Sequence, residues 1–209
     1  MKLDAQLPFV TALLIIFSLL FPLFPEIPLP VSEGRLVGWI ENGQALWLLF
    51  GALFTLGWLK PWTLTPGQKA FWLWSVAWWV VLLGRSTSWG RVYFPDEPRI
   101  IFRAISVILI AALVLPVLFS GLLRREIAQR FRHETFPLWT VLLVVITFLF
   151  SDAVEHHRLM ASLVLHDPRD QDLLEELYEI PFMLGLFIIA FSMMRRDKAV
   201  GMKLAADRY

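Results

Sequence analysis

The chain has 209 residues, of which 57% are hydrophobic, 14% aromatic and only 18% charged, and its mean hydropathy is +0.63. A soluble domain of this size carries more charge, so the composition excludes an ordinary water-soluble fold and favours a membrane protein. The formal net charge is +1, and the absence of cysteine excludes disulfides, thiolate nucleophiles and thiolate-bound metals.

Six apolar segments follow one another along the chain. A helix needs roughly 20 residues to cross about 30 Å of hydrocarbon, and in lipid its backbone groups must be satisfied internally. The sequence therefore predicts an all-α polytopic transmembrane helical bundle, a single integral membrane domain over 1–209. The predicted spans are 7–24, 43–59, 70–88, 100–123, 138–155 and 175–194.

The first span resembles a signal sequence, but its context argues against cleavage. A cleaved signal has a shorter apolar core and a small-residue cleavage site, whereas the Pro-rich stretch PEIPLP follows this one directly. We therefore expect an uncleaved first span that ends at this stretch, because proline disrupts a helix.

Basic residues are distributed unequally between the two sets of connections. The N-terminus, 60–69, 124–137 and 195–209 hold 12 of the 19 Lys and Arg, and only 5 of the 18 acidic residues. Basic residues close to span ends stay in the cytoplasm. This distribution predicts a bacterial inner-membrane protein with both termini in the cytoplasm and the acidic connections in the periplasm.

With that orientation, polar residues from five span ends reach one level near the periplasmic face. Ionisable groups at this depth are costly, so they usually turn inward and find partners. The groups expected there are Glu41 and Asn42 of span two, Arg85, Ser86 and Ser88 of span three, Arg103 of span four, Asp152, Glu155 and His156 of span five, and Glu175, Glu176 and Glu179 of span six.

Asp152, Glu155 and His156 are spaced i, i+3, i+4, which places them on one helical face. Glu175 and Glu179 share a face by the same rule. Carboxylates with one imidazole suit a hard or borderline divalent cation, so these five residues are the predicted metal ligands. A divalent metal ion is the cofactor that such a set implies, and it could activate water or organise an anionic headgroup.

Arginine supplies the expected anion contacts of this site. Arg85 and Arg103 could hold a phosphate bidentately. With Glu41 and Ser88 they form the predicted substrate-binding set, and Glu155, His156 and Arg85 are the candidate catalytic residues.

Three functions are compatible with this cluster. The first is a metal-dependent site that acts on a lipid or lipid-linked substrate. The second is a non-enzymatic membrane subunit or assembly factor, since charges at one depth often form simple interhelical ion pairs. The third is a small transporter, although the predicted spans of this chain lack the midplane interruptions that transporters have. The expected partners are the lipid bilayer and a membrane protein or second copy, with no nucleic acid.

The tract GRSTSWGRVYF resembles a motif in poorly characterised bacterial polytopic inner-membrane proteins, whose third helix ends in Gly, two acidic residues and then Ser-Trp-Gly-Gln-Arg. The matching positions are Gly84, Ser88, Trp89, Gly90 and Arg91. The tract WIENGQALWLLFGALF looks like the start of that group's preceding helix, and LLEELYEIPFMLGLF is similar to the acidic entry of its last helix. Arg85 and Ser86 replace the acidic pair, so the resemblance implies a membrane architecture and no established activity.

Overall fold

The computed structural model describes residues 2–25, 33–91, 93–165 and 167–206, and this part of the chain is almost entirely helical. Its α-helices are α1 (Phe9–Leu20), α2 (Glu33–Phe54), α3 (Pro66–Ser86), α4 (Arg99–Phe119), α5 (Gly121–His133), α6 (Leu138–Glu155) and α7 (Gln171–Ala206). A 3-10 turn, Phe21–Leu23, extends α1, and a π-helical turn, Thr55–Leu59, extends α2.

Four helical segments in the described part of the chain are long and apolar enough to cross a membrane. They are Gly34–Thr63, Arg99–Phe119, Leu138–Glu155 and Pro168–Ala199. The apolar helix Phe9–Leu23 is shorter, and the Trp-rich α3 is not among the four. The prediction of an all-α fold with several membrane-capable helices is thus confirmed.

The helix bounds depart most from the predicted spans in three places. α2 begins at Glu33, so Glu41 and Asn42 lie inside a helix rather than at its start. The predicted fourth span is divided at Ser120, where α4 ends and α5 begins. α7 is longer than 175–194 at both ends. α6 coincides with 138–155, and most of PEIPLP lies outside the described residues.

The chain divides into two compact units. The α1/α6 unit contains Lys2–Gln44 and Thr135–Ala190, and the α3/α5 unit contains Ala45–Glu134 together with the chain from Phe191 onward. α2 and α7 therefore each contribute residues to both units.

The core of the α1/α6 unit lies where α6, α7 and the end of α1 pack together. Val154, Leu174 and Tyr178 are buried there, and Phe21 meets Tyr178 edge to face. Thr11 and Thr140, both fully buried, share a hydrogen bond of 2.8 Å, which satisfies two hydroxyl groups between α1 and α6. A short parallel pair of strands, Lys2–Asp4 with Thr135–Pro137, holds the start of the chain beside α6.

Two tryptophans of α3 help to hold the α3/α5 unit together. Trp72 is fully buried, and Trp74 donates from Nε1 to the carbonyl oxygen of Leu113 at 3.0 Å, which joins α3 to α4. Thr65 caps α3 in a reciprocal capping box with Gln68, and Pro66 occupies the first helical position. Local signals therefore fix where α3 begins, and Trp72 and Trp74 anchor it within the unit.

Candidate functional site

The C-terminal end of α6 brings together the three ligands that the helical spacing predicted. One ligand atom each of Asp152, Glu155 and His156 lies within 4.8 Å of the other two. Nδ1 of His156 is 3.6 Å from Oδ1 of Asp152 and 3.7 Å from Oε2 of Glu155. Two ligands on opposite sides of a cation at about 2.4 Å are about 4.8 Å apart, so the three groups can share one ion.

The turn that ends α6 positions the residues that follow the cluster, His157 and Arg158. The amide of Arg158 donates to the carbonyl of Ala153 at 2.9 Å, and the amide of His157 donates to that of Val154 at 3.3 Å. This is a Schellman arrangement, which places its left-handed residue at His157, with φ of 49°. A non-glycine side chain is strained there, so the helix ends in a conformation that glycine would adopt at lower cost.

Arg158 folds back from this turn onto the cluster. Its guanidinium pairs with Oδ2 of Asp152, while Oδ1 of Asp152 faces His156. The Arg158 side chain is 61% exposed and that of Asp152 is 22% exposed. Asp152 therefore belongs both to an ion pair and to the potential cation site, and a bound cation would compete with Arg158 for it.

A cleft of about 830 Å³ opens beside the cluster, entirely within the α1/α6 unit. Its wall combines apolar side chains with one carboxylate, one imidazole, one guanidinium and one hydroxyl. The lining residues are Leu149, Asp152, Ala153, His157, Arg158, Ala161, Ser162 and Leu165. A mostly apolar cleft with a few convergent polar groups is the usual form of a small-molecule site. The sequence alone indicates neither Arg158 nor Ser162 as a site residue, and the turn after α6 brings both to the cleft.

The start of α7 contacts the backbone of α6 through a side chain. Gln171 donates from Nε2 to the carbonyl of Glu155 at 3.2 Å. One turn further on, Gln44 of α2 donates to the carbonyl of Glu176 at 3.0 Å, and Oε2 of Glu176 is buried with no hydrogen-bond partner among the described residues. Polar groups of α2, α6 and α7 therefore approach one another in this unit.

The described residues that can share one cation are Asp152, Glu155 and His156. Glu175 and Glu179 are half-buried on α7 and take part in interactions of their own. Their role as further metal ligands stays a prediction, as does a substrate contact at Glu41.

The arginine side of the predicted site belongs to the α3/α5 unit. Arg85 is exposed in the last turn of α3, and Arg103 is exposed one turn into α4. Ser88 has a left-handed backbone with φ of 47° and is followed by two more positive φ values, at Trp89 and Gly90. The anion contacts predicted for Arg85, Arg103 and Ser88 stay predictions.

The motif that carries the resemblance has a packing explanation. The left-handed run turns the indole of Trp89 back onto Gly84, where an added Cβ would lie 2.7 Å from two ring carbons. Gly84 is required because nothing larger leaves room for the ring, and glycine suits the φ of 97° at position 90. Gly84, Trp89 and Gly90 therefore form a structural turn.

A second ionic cluster, in the α3/α5 unit, was not expected from the sequence. Arg130 and Asp197, each 5% exposed, form an ion pair of 2.6 Å, and Trp72 donates from Nε1 to the same Asp197 oxygen at 2.6 Å. Arg130 also pairs with Glu126 at 2.9 Å and stacks on the ring of Phe71 at 4.1 Å. Arg130 lies in the 124–137 connection, whose basic residues the charge distribution assigns to the cytoplasmic surface. The spacing of Glu126, Arg130 and Glu134 at four-residue intervals predicts ion pairs along one helix face, but it does not predict that this face is buried.

Comparisons of the chain with protein-family models, with curated proteins and with solved structures find no match. We therefore infer the function from the geometry of the α1/α6 unit and from the distribution of charge.

Proposed function

We propose that this chain is a multi-pass inner-membrane protein whose periplasmic side carries a divalent-cation site acting on a lipid or lipid-linked substrate. The observation that carries the proposal is the convergence of Asp152, Glu155 and His156, of which Asp152 also lines the 830 Å³ cleft. A cation held by these groups would polarise a phosphoryl or carbonyl oxygen of a ligand in the cleft.

The architecture that we propose has six spans: α1 with its 3-10 extension, α2, α3, α4, α6 and α7. α5 stays outside the hydrocarbon because it has 13 residues and five basic side chains including His133. Six crossings return the chain to the side on which it began, which is the side with 12 of the 19 Lys and Arg. This assigns the turn after α6 to the periplasm and α5 to the cytoplasm.

The chemistry of the cleft supports an amphipathic ligand. Leu149, Ala153, Ala161 and Leu165 offer an apolar wall, and Arg158 and Ser162 offer a cation and a hydroxyl. An acyl chain fits the first set and an anionic headgroup fits the second. Arg158 would then exchange its contact with Asp152 for one with the headgroup.

A second candidate function is a non-enzymatic membrane subunit or assembly factor. The pairing of Arg158 with Asp152 favours it, because an ion pair alone accounts for both side chains. On this hypothesis the carboxylates would bind no cation more tightly than any other exposed acidic group.

Titration of the detergent-purified protein with Mn²⁺, followed by electron paramagnetic resonance, separates the two. The metal-site proposal expects one tight equivalent, weakened about tenfold or more in Asp152→Asn and in Glu155→Gln. Asp172→Asn is the matched control, since Asp172 is an exposed acid of the same unit outside the cluster. Binding that is equally weak in all four proteins would contradict the metal site and favour the subunit.

A further inference from the structure

The outer face of α5 differs sharply in charge from its inner face. On the inner face, Glu126 pairs with Arg130, and Glu134 contacts both Arg130 and Arg196, the latter at 3.1 Å. A Cβ added at Gly67 would lie 2.6 Å from Oε2 of Glu126, so this face is packed tightly against the start of α3. Both acidic residues of the segment are therefore engaged on the inner side.

The opposite side of the helix carries cations. Arg125 and Arg132 are seven residues apart, on the face opposite Arg130, and both are exposed. Within the described part of the chain neither side chain makes an ion pair or a hydrogen bond, and Glu126 and Glu134 face the other way. Arg124, also exposed, folds back onto the carbonyls of Val117 and Leu118 at the end of α4.

Apolar side chains flank this cationic face. Leu122 is 49% exposed and Phe131 is 58% exposed, and helical geometry places them on either side of the line from Arg125 to Arg132. α5 follows the membrane-capable α4 after a single residue, Ser120, whose hydroxyl caps it by accepting from the amide of Leu123 at 3.2 Å. A polar helix this close to a span end cannot leave the headgroup layer.

We propose that the cationic face of α5, defined by Arg125 and Arg132, binds the headgroups of acidic phospholipids in the adjoining leaflet. The charge is complementary, and the flanking Leu122 and Phe131 suit the boundary between headgroups and acyl chains. The buried contacts of Arg130 hold the helix at the angle that presents this face. The inference is independent of the cation site on α6.

Native mass spectrometry of the full-length protein, released from micelles with equal phosphatidylglycerol and phosphatidylcholine of identical acyl chains, tests this binding. We expect wild-type protein to retain phosphatidylglycerol in preference, with a preference that falls as KCl is raised. Removing one surface arginine costs about 1 kcal/mol of headgroup attraction. Arg125→Gln and Arg132→Gln should therefore each reduce the preference about fivefold, and the double variant should reduce it further.

Arg169→Gln is the control for loss of one exposed guanidinium elsewhere, and it should keep the wild-type preference. Arg125→Lys/Arg132→Lys keeps the charge and should keep the preference even if the double glutamine variant fails to fold. Absence of any preference in wild-type protein would overturn the proposal. An equal loss of preference in Arg169→Gln would also overturn it. If the face binds a soluble acidic partner instead of lipid, wild-type protein should show no preference.

Discussion

Arg158 and Asp152 form an ion pair across the turn that ends α6, and the same aspartate faces His156. This ion pair bears on both the metal-site and the subunit hypothesis, because Asp152 can be neutralised either by Arg158 or by a bound cation. Substitution of Arg158 therefore separates them.

We predict that Arg158→Gln increases the affinity for Mn²⁺, because it removes the positive group that competes for Asp152 and repels an incoming cation. The increase should be about threefold to tenfold, in keeping with a largely exposed pair. Isothermal titration calorimetry of wild-type and variant protein measures it. Arg169→Gln is a matched control, since Arg169 pairs with Asp167 outside the cluster. An unchanged or reduced affinity in Arg158→Gln would contradict the shared role of Asp152.

Gly84→Ala should destabilise the protein, whereas Gly43→Ala should not. The methyl group at position 84 would lie 2.7 Å from the ring of Trp89, and overpacking of this kind costs about 1–3 kcal/mol. An added Cβ at Gly43 has nothing within 4 Å, and alanine is the better helix former by about 1 kcal/mol. Thermal unfolding in detergent compares the two. Equal melting temperatures would mean that the turn can shift the indole without cost.

Trp72→Phe should destabilise the α3/α5 unit by about 1–3 kcal/mol, because it removes a donor from the buried carboxylate of Asp197. Trp62→Phe is the control, since Trp62 is 57% exposed. Differential scanning fluorimetry of both variants reports the melting temperatures. If Trp72→Phe has the melting temperature of wild-type protein, then Arg130 and Gln68 satisfy the hydrogen-bonding needs of the Asp197 carboxylate without the indole.

The contact between Asp167 and Arg169, just before α7, should be lost only at very low pH. Hydrogen bonds from the side chain and the backbone of Arg169 lower the pKa of Asp167 from 3.8 to about 2. A lowered pKa in the folded state means that the contact stabilises the loop above about pH 4 and is lost as the pH falls towards 2. Carbon NMR of labelled aspartate should show this titration, and Arg169→Gln should move it back towards the ordinary range. A wild-type midpoint near 4 would contradict the contact.

Local sequence signals predicted the end of α6 well. The apolar run gives the bounds of α6, and helical periodicity places Asp152, Glu155 and His156 together without any tertiary information. The start of α2 was missed because polar residues such as Arg35, Glu41 and Asn42 are typical of a loop, yet packing within the unit keeps them helical.

Contacts between distant segments could not be predicted in this way. The inward position of Arg130 depends on Asp197, which is 67 residues away in the sequence. The cleft lies beside the left-handed backbone at His157, a conformation that only a few per cent of non-glycine residues adopt. The sequence therefore indicated which groups could do chemistry on α6, and the structure supplied what surrounds them.

The proposed function depends on which side of the membrane each segment occupies, and single-cysteine labelling measures this directly. Because the chain contains no cysteine, Leu163→Cys in the exposed turn after α6 and Gln129→Cys on α5 each give one reporter. In spheroplasts treated with a membrane-impermeant maleimide, we predict labelling at position 163 and none at position 129 until the membrane is opened. Labelling at 129 with protection at 163 would contradict the account, because it would place the cleft inside and the arginine face of α5 outside.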